Sequence, residues 1–245
     1  MMSAEGPRTL VVLPTYNERE TVVVAATGIL AAVPTADVLV VDDNSPDGTA
    51  EAVAALAEGE PRVRLIRRPR KLGLAGAYLA GFRVGLRDAY DVIVEMDADL
   101  SHQPSDLPRV VAGSKRYDLT IGSRYVRGGG VSNWSRARLA LSRGGNAYAR
   151  TVLGLPVADA TSGFRAFRRG ALERLLSEPL TSEGYGFQIE LVYRAWREGL
   201  SIGEVPITFR EREHGASKIS RTIVVEALVQ VATWGLRDRV LRRRR

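Results

Sequence analysis

The chain has 245 residues, 45% hydrophobic and 26% charged, an ordinary globular composition that suffices for one large domain with a packed core, or a domain plus an appendage. It has no cysteine, which excludes disulfides and cysteine-held metals and suits a reducing compartment, and its first ten residues lack the apolar run of a secretory signal. Of the formal net charge of +7, residues 237–245 supply +5 through six arginines and one aspartate, so the basicity is mostly a tail and argues against a nucleic-acid-binding domain.

Residues 9–13 (TLVVL) read as a first strand ended by Pro14, which has no N–H for a ladder bond. The turn TYNE follows, and Glu18 opens a helix to about residue 32. A second strand at 37–41 (DVLVV) runs into DDNSPDGT, where Ser45-Pro46-Asp47-Gly48 is turn chemistry and Thr49 starts the next helix. Residues 63–66 are a third strand. A basic segment at 67–71 follows, then Gly73 and Gly76 lead into a helix to about residue 86. The apolar, β-branched run Val92-Ile93-Val94 is a fourth, buried strand, and residues 119–122 a fifth. Strands and helices alternate with a period near thirty residues, which predicts a mostly parallel α/β sheet with ligands outside the carboxyl ends of the strands. The polar clusters TYNE, DDNSPDGT and DADLSHQP each follow a strand and should share one crevice.

The chain is organised around residues 91–104 (DVIVEMDADLSHQP). Asp97 and Asp99 lie at i and i+2 on extended or just-turning backbone and so point the same way. Two carboxylates in one spot repel each other unless a cation sits there, and Mg2+ or Mn2+ suits carboxylate, water and phosphate oxygens. Glu18, Asp42 and Asp43 bring further acidic groups to neighbouring strand ends.

The ordered set PTYNE, VVDDNSPDGT, RKLGLAGAY, MDADLSHQP, IGSRYVRGGG, DATSGFRAF, GYGFQIELVYRA and REREHGASKIS, spread over 9–220, closely resembles the family 2 glycosyltransferases, and more narrowly the polyprenol-phosphate (dolichol-phosphate) mannose synthases. The resemblance implies a GT-A fold, a Rossmann-like sheet with helices on both faces. It further implies inverting transfer of mannose from GDP-mannose to a polyprenyl monophosphate. Carried over by position, Pro14, Tyr16 and Glu18 would line the guanosine site, Asp42 or Asp43 would contact base or ribose, and Lys71 and Gly73 would join the donor side. Asp97 and Asp99 would hold the cation bridging the diphosphate, with Asp99 and Arg124 at the catalytic centre. Some relatives add a glutamine two residues past the second aspartate; here that position is Ser101, with Gln103 beyond it, so either of these or water completes the shell. His102 reads as polar loop surface or as a site neighbour. Arg124, Arg138 and Ser142 match positions that hold the acceptor phosphate, for which the planar guanidinium fork is suited. Arg138 and Ser142 share one face of a helix predicted over 134–153.

Residues 125–133, with glycines at 128–130, read as a surface loop or a mobile loop over the site. Asp159 is expected to orient Arg165 or a substrate hydroxyl, or to form a structural ion pair. Gln188 or Glu190, on a helix over 186–198, is expected to read sugar hydroxyls. Residues 202–209 are a last strand, and Arg212, His214, Ser217 and Lys218 match a loop that covers the donor diphosphate. The catalytic domain is bounded at 1–218. From 219 to 241 the pattern is helical with a narrow polar stripe (Thr222, Glu226, Gln230, Thr233, Arg237), and its apolar run is shorter than the roughly 20 residues that span a bilayer. It reads as a helix in the membrane interface, a dock for a membrane-anchoring partner protein, or a core-packing helix, with residues 242–245 facing anionic lipid in the first case. Deleting 219–245 is expected to weaken liposome binding and leave the nucleotide site folded. The expectation is a metal-dependent enzyme at the cytoplasmic membrane face, against a UDP-glucose-dependent glucosyltransferase or a non-catalytic nucleotide-sugar-binding module.

Overall fold

The computed structural model describes residues 6–182, 184–211 and 221–243. The strands are β1 (Thr9–Thr15), β2 (Ala36–Asp42), β3 (Val63–Arg67), β4 (Val92–Glu95), β5 (Leu119–Ser123), β6 (Gly130–Ser132), β7 (Arg165–Arg168), β8 (Ile202–Pro206) and β9 (Thr208–Arg210). Seven of them form a sheet in the order β3-β2-β1-β4-β7-β5-β8, parallel throughout except for β7, which runs antiparallel to β4 and β5. The mostly parallel α/β sheet expected from the alternation is therefore observed.

Two layers of helices cover it. Along β1, Val11 and Leu13 face one core with α1 (Val22–Ala32), α2 (Thr49–Gly59) and α4 (Leu107–Gly113), while Leu10 and Val12 face the other with α3 (Leu74–Arg87), α5 (Arg136–Leu153), α6 (Arg169–Leu175) and α7 (Gly184–Arg197). Helix α3 lies unusually close to the sheet. A Cβ on Gly81 would stand 2.3 Å from Val12, and one on Gly85 2.6 Å from Ile93, so small residues one turn apart admit the helix. Helix α5 is capped by the Ser135 hydroxyl, which accepts the Arg138 N–H, and ends at Gly154 in the left-handed region. Helix α8 (Arg221–Arg243) packs outside α5 and α7 through buried Ala227 and Val231, the stacked pair Tyr193–Trp234, and Gly235 against Val152.

Several boundaries differ from expectation. Strand β1 runs through Pro14, because the face on which its N–H is missing looks toward β4, whose pairing has already ended at Glu95. Helix α1 begins at Val22 rather than Glu18, since Glu18 to Thr21 form a turn tied to the next loop. The glycine segment is not all loop: β6 pairs with β9 as a separate two-stranded sheet, so the single strand expected over 202–209 is two strands in two sheets. Strand β7 was not anticipated. Because it is antiparallel, the DATSGFR segment leading into it arrives at the edge where β4 and β5 end.

Candidate functional site

The strand order 3-2-1-4 reverses at β1, so a crevice opens beyond the carboxyl ends of β1 and β4. The loops after β1 and β2 are one hydrogen-bonded unit. Asn17, Glu18 and Arg19 donate their backbone N–H groups to the Ser45 hydroxyl, the Thr49 hydroxyl and the Asp47 carboxylate, at 3.0, 3.0 and 3.2 Å. Asp42 is fully buried and accepts from the Thr15 hydroxyl and from the Ser45 N–H and hydroxyl. Asp43 is ion-paired with Arg68 at 2.6 Å and accepts the N–H groups of Leu72 and Gly73. Contact of Asp42 with a base or ribose is thus not supported: it has no exposed surface, and both carboxylates fix loop shape. Above this unit Lys71 stands over the Tyr16 ring, 3.9 Å from its centre. Pro14 is buried in β1, and Gly73 takes a positive φ of 86° at the start of α3. Asn17 and Asn44, two residues past the ends of β1 and β2, and Leu100 in the loop after β4 adopt left-handed φ near 60°.

The β4 loop carries the acidic pair. Asp97 is about one-third exposed; the Tyr78 hydroxyl on α3 donates to its Oδ1 at 3.0 Å. Asp99 is nearly buried and accepts the Ser101 N–H at 3.0 Å. Tyr78 is fully buried, its ring stacked between Phe82 and Phe187, and burial beside the Asp97 charge pushes its hydroxyl well above the ordinary tyrosine range. It therefore stays a donor. Asp97, Gln188 and His102 converge on Gly163, where a Cβ would lie 3.6 Å from Asp97 Oδ2 and Gln188 Nε2 and 3.8 Å from His102 Cε1.

His102 is not polar surface. It is 2% exposed, packed against Phe164 and Phe209, and its Nδ1 accepts the Asp97 N–H at 3.4 Å. Burial lowers it to about 4, so it is neutral at pH 7. Beneath lies the buried pair Glu95–Arg165, directly opposite in the β4–β7 register and 3.3 Å apart. Burial raises Glu95 to about 8 against the pull of Arg165. Arg165 also donates to the carbonyls of Gln188 and Ala160, both at 2.7 Å, which ties α7 to the DATSGFR loop.

At the end of β5, Arg124 is gripped by Asp159 through its Nε (2.7 Å), Nη2 (2.6 Å) and backbone N–H (2.9 Å), and Nη2 also reaches Thr161 at 2.9 Å. Of the roles considered for Asp159, the structural ion pair is observed, and its partner is Arg124. Glu204 on β8 fixes the loop by accepting the N–H groups of Ala158 and Asp159. Arg124 lies within 5.3–5.6 Å of the ring centres of Tyr125, Trp134 and Phe209. On α5, Ser142 meets the Tyr125 hydroxyl at 2.6 Å, while Arg138 lies over Trp134 and pairs with Glu211. Glu190 is engaged within the fold: it accepts the N–H groups of Thr181 and Ser182 and pairs with Arg194. Arg212, His214, Ser217 and Lys218 lie outside the described residues.

The edge thus presents two oriented carboxylates, hard oxygen donors for a divalent cation, with the joined β1 and β2 loops and the arginine-bearing end of β5 at the same edge of the sheet. Among the described residues no three His, Asp or Glu side chains gather as a closed metal cage. The arrangement suits a cation shared with a ligand's own oxygens. Sequence reasoning gave no role to Tyr78, the last residue of RKLGLAGAY, and missed the Glu95–Arg165 pair, whose charges look like surface until β7 is known.

Residues 10–176 match the family described as Glycosyl transferase family 2. The chain is 50% identical over 239 residues to a polyprenol monophosphomannose synthase from Mycolicibacterium smegmatis, covering 97% of this chain and 90% of that protein. It is 49% identical over 232 residues to an undecaprenyl-phosphate mannosyltransferase from Micrococcus luteus, covering 95% and 96%. Among solved structures, glucosyl-3-phosphoglycerate synthase from Mycobacterium tuberculosis, in complex with Mn2+, UDP-glucose and phosphoglyceric acid, aligns with a TM-score of 0.67 at 23% identity over 93% of this chain and 80% of that one. A mannosyltransferase from Pyrobaculum calidifontis, in complex with GDP-mannose and Mn2+, aligns at 0.56 and 20% identity over 96% and 76%. At those identities the two structures speak to the fold alone.

Proposed function

The chain belongs to glycosyl transferase family 2 and is a glycosyltransferase of GT-A architecture, and from that footing we propose that it transfers mannose from GDP-mannose, with inversion, to a polyprenyl monophosphate, giving polyprenyl-phosphate mannose and GDP. The observation that carries this reading is the pair Asp97 and Asp99, oriented by Tyr78 and Ser101 at the end of β4, beside the arginine-bearing end of β5. Its support from relatives is the polyprenol-phosphate mannosyl transfer named for two proteins that are about half identical to this one over most of its length.

In this reading Tyr16, Glu18, Lys71 and Gly73 take the guanosine, while Asp42 and Asp43 hold the loop that carries them. Asp97 and Asp99 hold Mg2+ or Mn2+. The residues fit such an ion: both carboxylates are oriented, and the Ser101 hydroxyl is buried with no hydrogen-bond partner among the described residues, a third hard oxygen at the site, whereas the Gln103 Nε2 is tied to the Leu100 carbonyl at 2.7 Å. When bound, the ion neutralises charge that builds on the leaving diphosphate. Gln188, beside Asp97, reads sugar hydroxyls. Arg124, Arg138 and Ser142 take the acceptor phosphate, with Arg124 locked in orientation by Asp159. The acceptor is a phosphate monoester with a second pKa of about 6, already mostly a dianion at neutral pH, so it attacks the anomeric carbon without a side-chain base. Neutral His102 keeps its part of the floor of the site from adding charge of its own, and Glu95 stands against Arg165 beneath it.

The acceptor is membrane-borne, and α8 supplies the contact we propose with the cytoplasmic membrane face. Its outer side exposes Val225, Leu228, Val229 and Leu236 next to the arginine-rich end, while its inner side packs on α5 and α7. Among the described residues no helix is long and apolar enough to cross a membrane. The test of the function is a panel of GDP-mannose, UDP-glucose and UDP-galactose, each incubated with a polyprenyl phosphate and Mg2+ or Mn2+. Lipid-linked sugar is expected from GDP-mannose; preferential turnover of UDP-glucose would assign the donor otherwise, and no turnover of any would return the chain to a binding role.

A further inference from the structure

Both arginines on the acceptor side are paired with carboxylates, and the two pairs are built differently. Arg124–Asp159 is buried and joined by three hydrogen bonds. Arg138–Glu211 is one contact, Nη1 to Oε1 at 2.5 Å, between side chains 26% and 39% exposed. The arginine is held in place without it: Arg138 sits in the capped first turn of α5 with its guanidinium 4.2 Å from the centre of the Trp134 ring. The glutamate is delivered separately, just past β9, where Ser132 pairs with Arg210 and the Glu211 N–H donates to the Ser132 carbonyl at 3.2 Å. A fixed cation thus carries an anion that can swing away into solvent.

We propose that Glu211 is an internal competitor for the acceptor phosphate: its carboxylate occupies Arg138 in the empty site, is displaced when a lipid phosphate arrives, and returns as the product leaves. This rests on the preceding reading, in which Arg138 is part of the acceptor-phosphate subsite. The reaction converts one bound phosphate ester, the monoester substrate, into another, the diester product, and Arg138 holds both. A built-in carboxylate lowers the apparent affinity of every anion at that cation by the same factor, because each must pay the same cost of breaking the Arg138–Glu211 contact. It therefore loosens the product, at the expense of an equally weaker hold on the substrate. Half-exposed ion pairs of this kind correspond to roughly fivefold in affinity.

The experiment uses the full chain with a short, soluble prenyl monophosphate and the matching prenyl-phosphate mannose. Equilibrium binding of both is compared for wild type, Glu211→Gln, Glu211→Ala and Arg138→Gln, alongside the KM for GDP-mannose and the melting temperature. In both Glu211 variants the two lipid phosphates should bind about fivefold more tightly, by the same factor, with donor KM unchanged. Glu211 variants that bind both ligands no better than wild type, while Arg138→Gln still weakens them, would overturn the competitor role and leave the subsite standing. Unchanged binding in Arg138→Gln would overturn the subsite and the competitor together.

Discussion

Replacing Asp159 with asparagine keeps the side chain's shape and removes its charge, which isolates what the carboxylate does for Arg124. Asp159 is fully buried, and it accepts three hydrogen bonds from Arg124 and one from Thr161. Without its charge the guanidinium remains nearly enclosed among Tyr125, Trp134 and Phe209, facing an amide. Breaking one side of a buried pair costs about 3–5 kcal/mol, because the other charge is left uncompensated. For a domain of this size each kcal/mol lowers the melting temperature by about 2–4 °C, so a fall on the order of 10 °C is expected in thermal unfolding followed by circular dichroism. Removing both charges, as in Asp159→Leu with Arg124→Met, should recover most of that loss while abolishing transfer, since neither ion is then buried alone. A single variant melting within about 3 °C of wild type, or a double variant no more stable than Asp159→Asn, would refute the reasoning.

Other consequences are equally checkable. Gly81→Ala puts a Cβ 2.3 Å from Val12 and should cost about 1–3 kcal/mol in denaturant unfolding, whereas Gly170→Ala, with nothing within 4 Å, should be neutral or stabilising. His102 titrates near 6.5 when unfolded and about 4 when folded, so the stability it contributes is complete above about pH 6.5 and is lost as pH falls toward 4. Glu95 has the opposite sign: its contribution is complete below about 4.5 and is lost as pH rises through about 8, so only the difference between wild type and His102→Gln isolates the histidine. That difference should change by roughly 3 kcal/mol between pH 7 and pH 4, read from urea unfolding at each pH. Val225→Glu with Val229→Glu should reduce sedimentation with anionic liposomes and leave nucleotide binding intact. Deletion of α8, by contrast, would bare the faces of α5 and α7 that cover Ala227, Val231 and Trp234, and is expected to destabilise the domain rather than leave it unaltered.

The sequence announced the frame of this protein more clearly than its joints. Apolar β-branched runs separated by amphipathic stretches are locally decisive, so the five parallel strands of the first half were legible, and with them the edge at which Asp97 and Asp99 had to emerge. Strand β7 was not, because four residues beginning and ending in arginine carry no strand pattern. Arg165 is buried only because Glu95 stands opposite it across the β4–β7 register, a partner seventy residues away in the chain. Of the two readings of His102 the loop-surface one fails for the same reason: a histidine between serine and glutamine looks like loop surface until Phe164 and Phe209 close over it from later in the chain. The loop contacts of Asp42 and Asp43 were not legible either, since their hydrogen bonds go to backbone, hydroxyl and guanidinium groups that only the fold brings near. Charge and polarity in a sequence mark where chemistry can occur, and long-range partners decide which of those groups remain available for it.

The central claim is that the two carboxylates at the end of β4 hold a cation that grips the donor's diphosphate. Calorimetric titration of GDP into the full chain tests it most directly, with Mn2+, with excess EDTA, and with Asp99→Ala in the presence of Mn2+. Tight binding by wild type with Mn2+, and loss of most of that affinity both in EDTA and in the variant with its melting temperature preserved, is the predicted result. GDP binding of equal strength under all three conditions would contradict it.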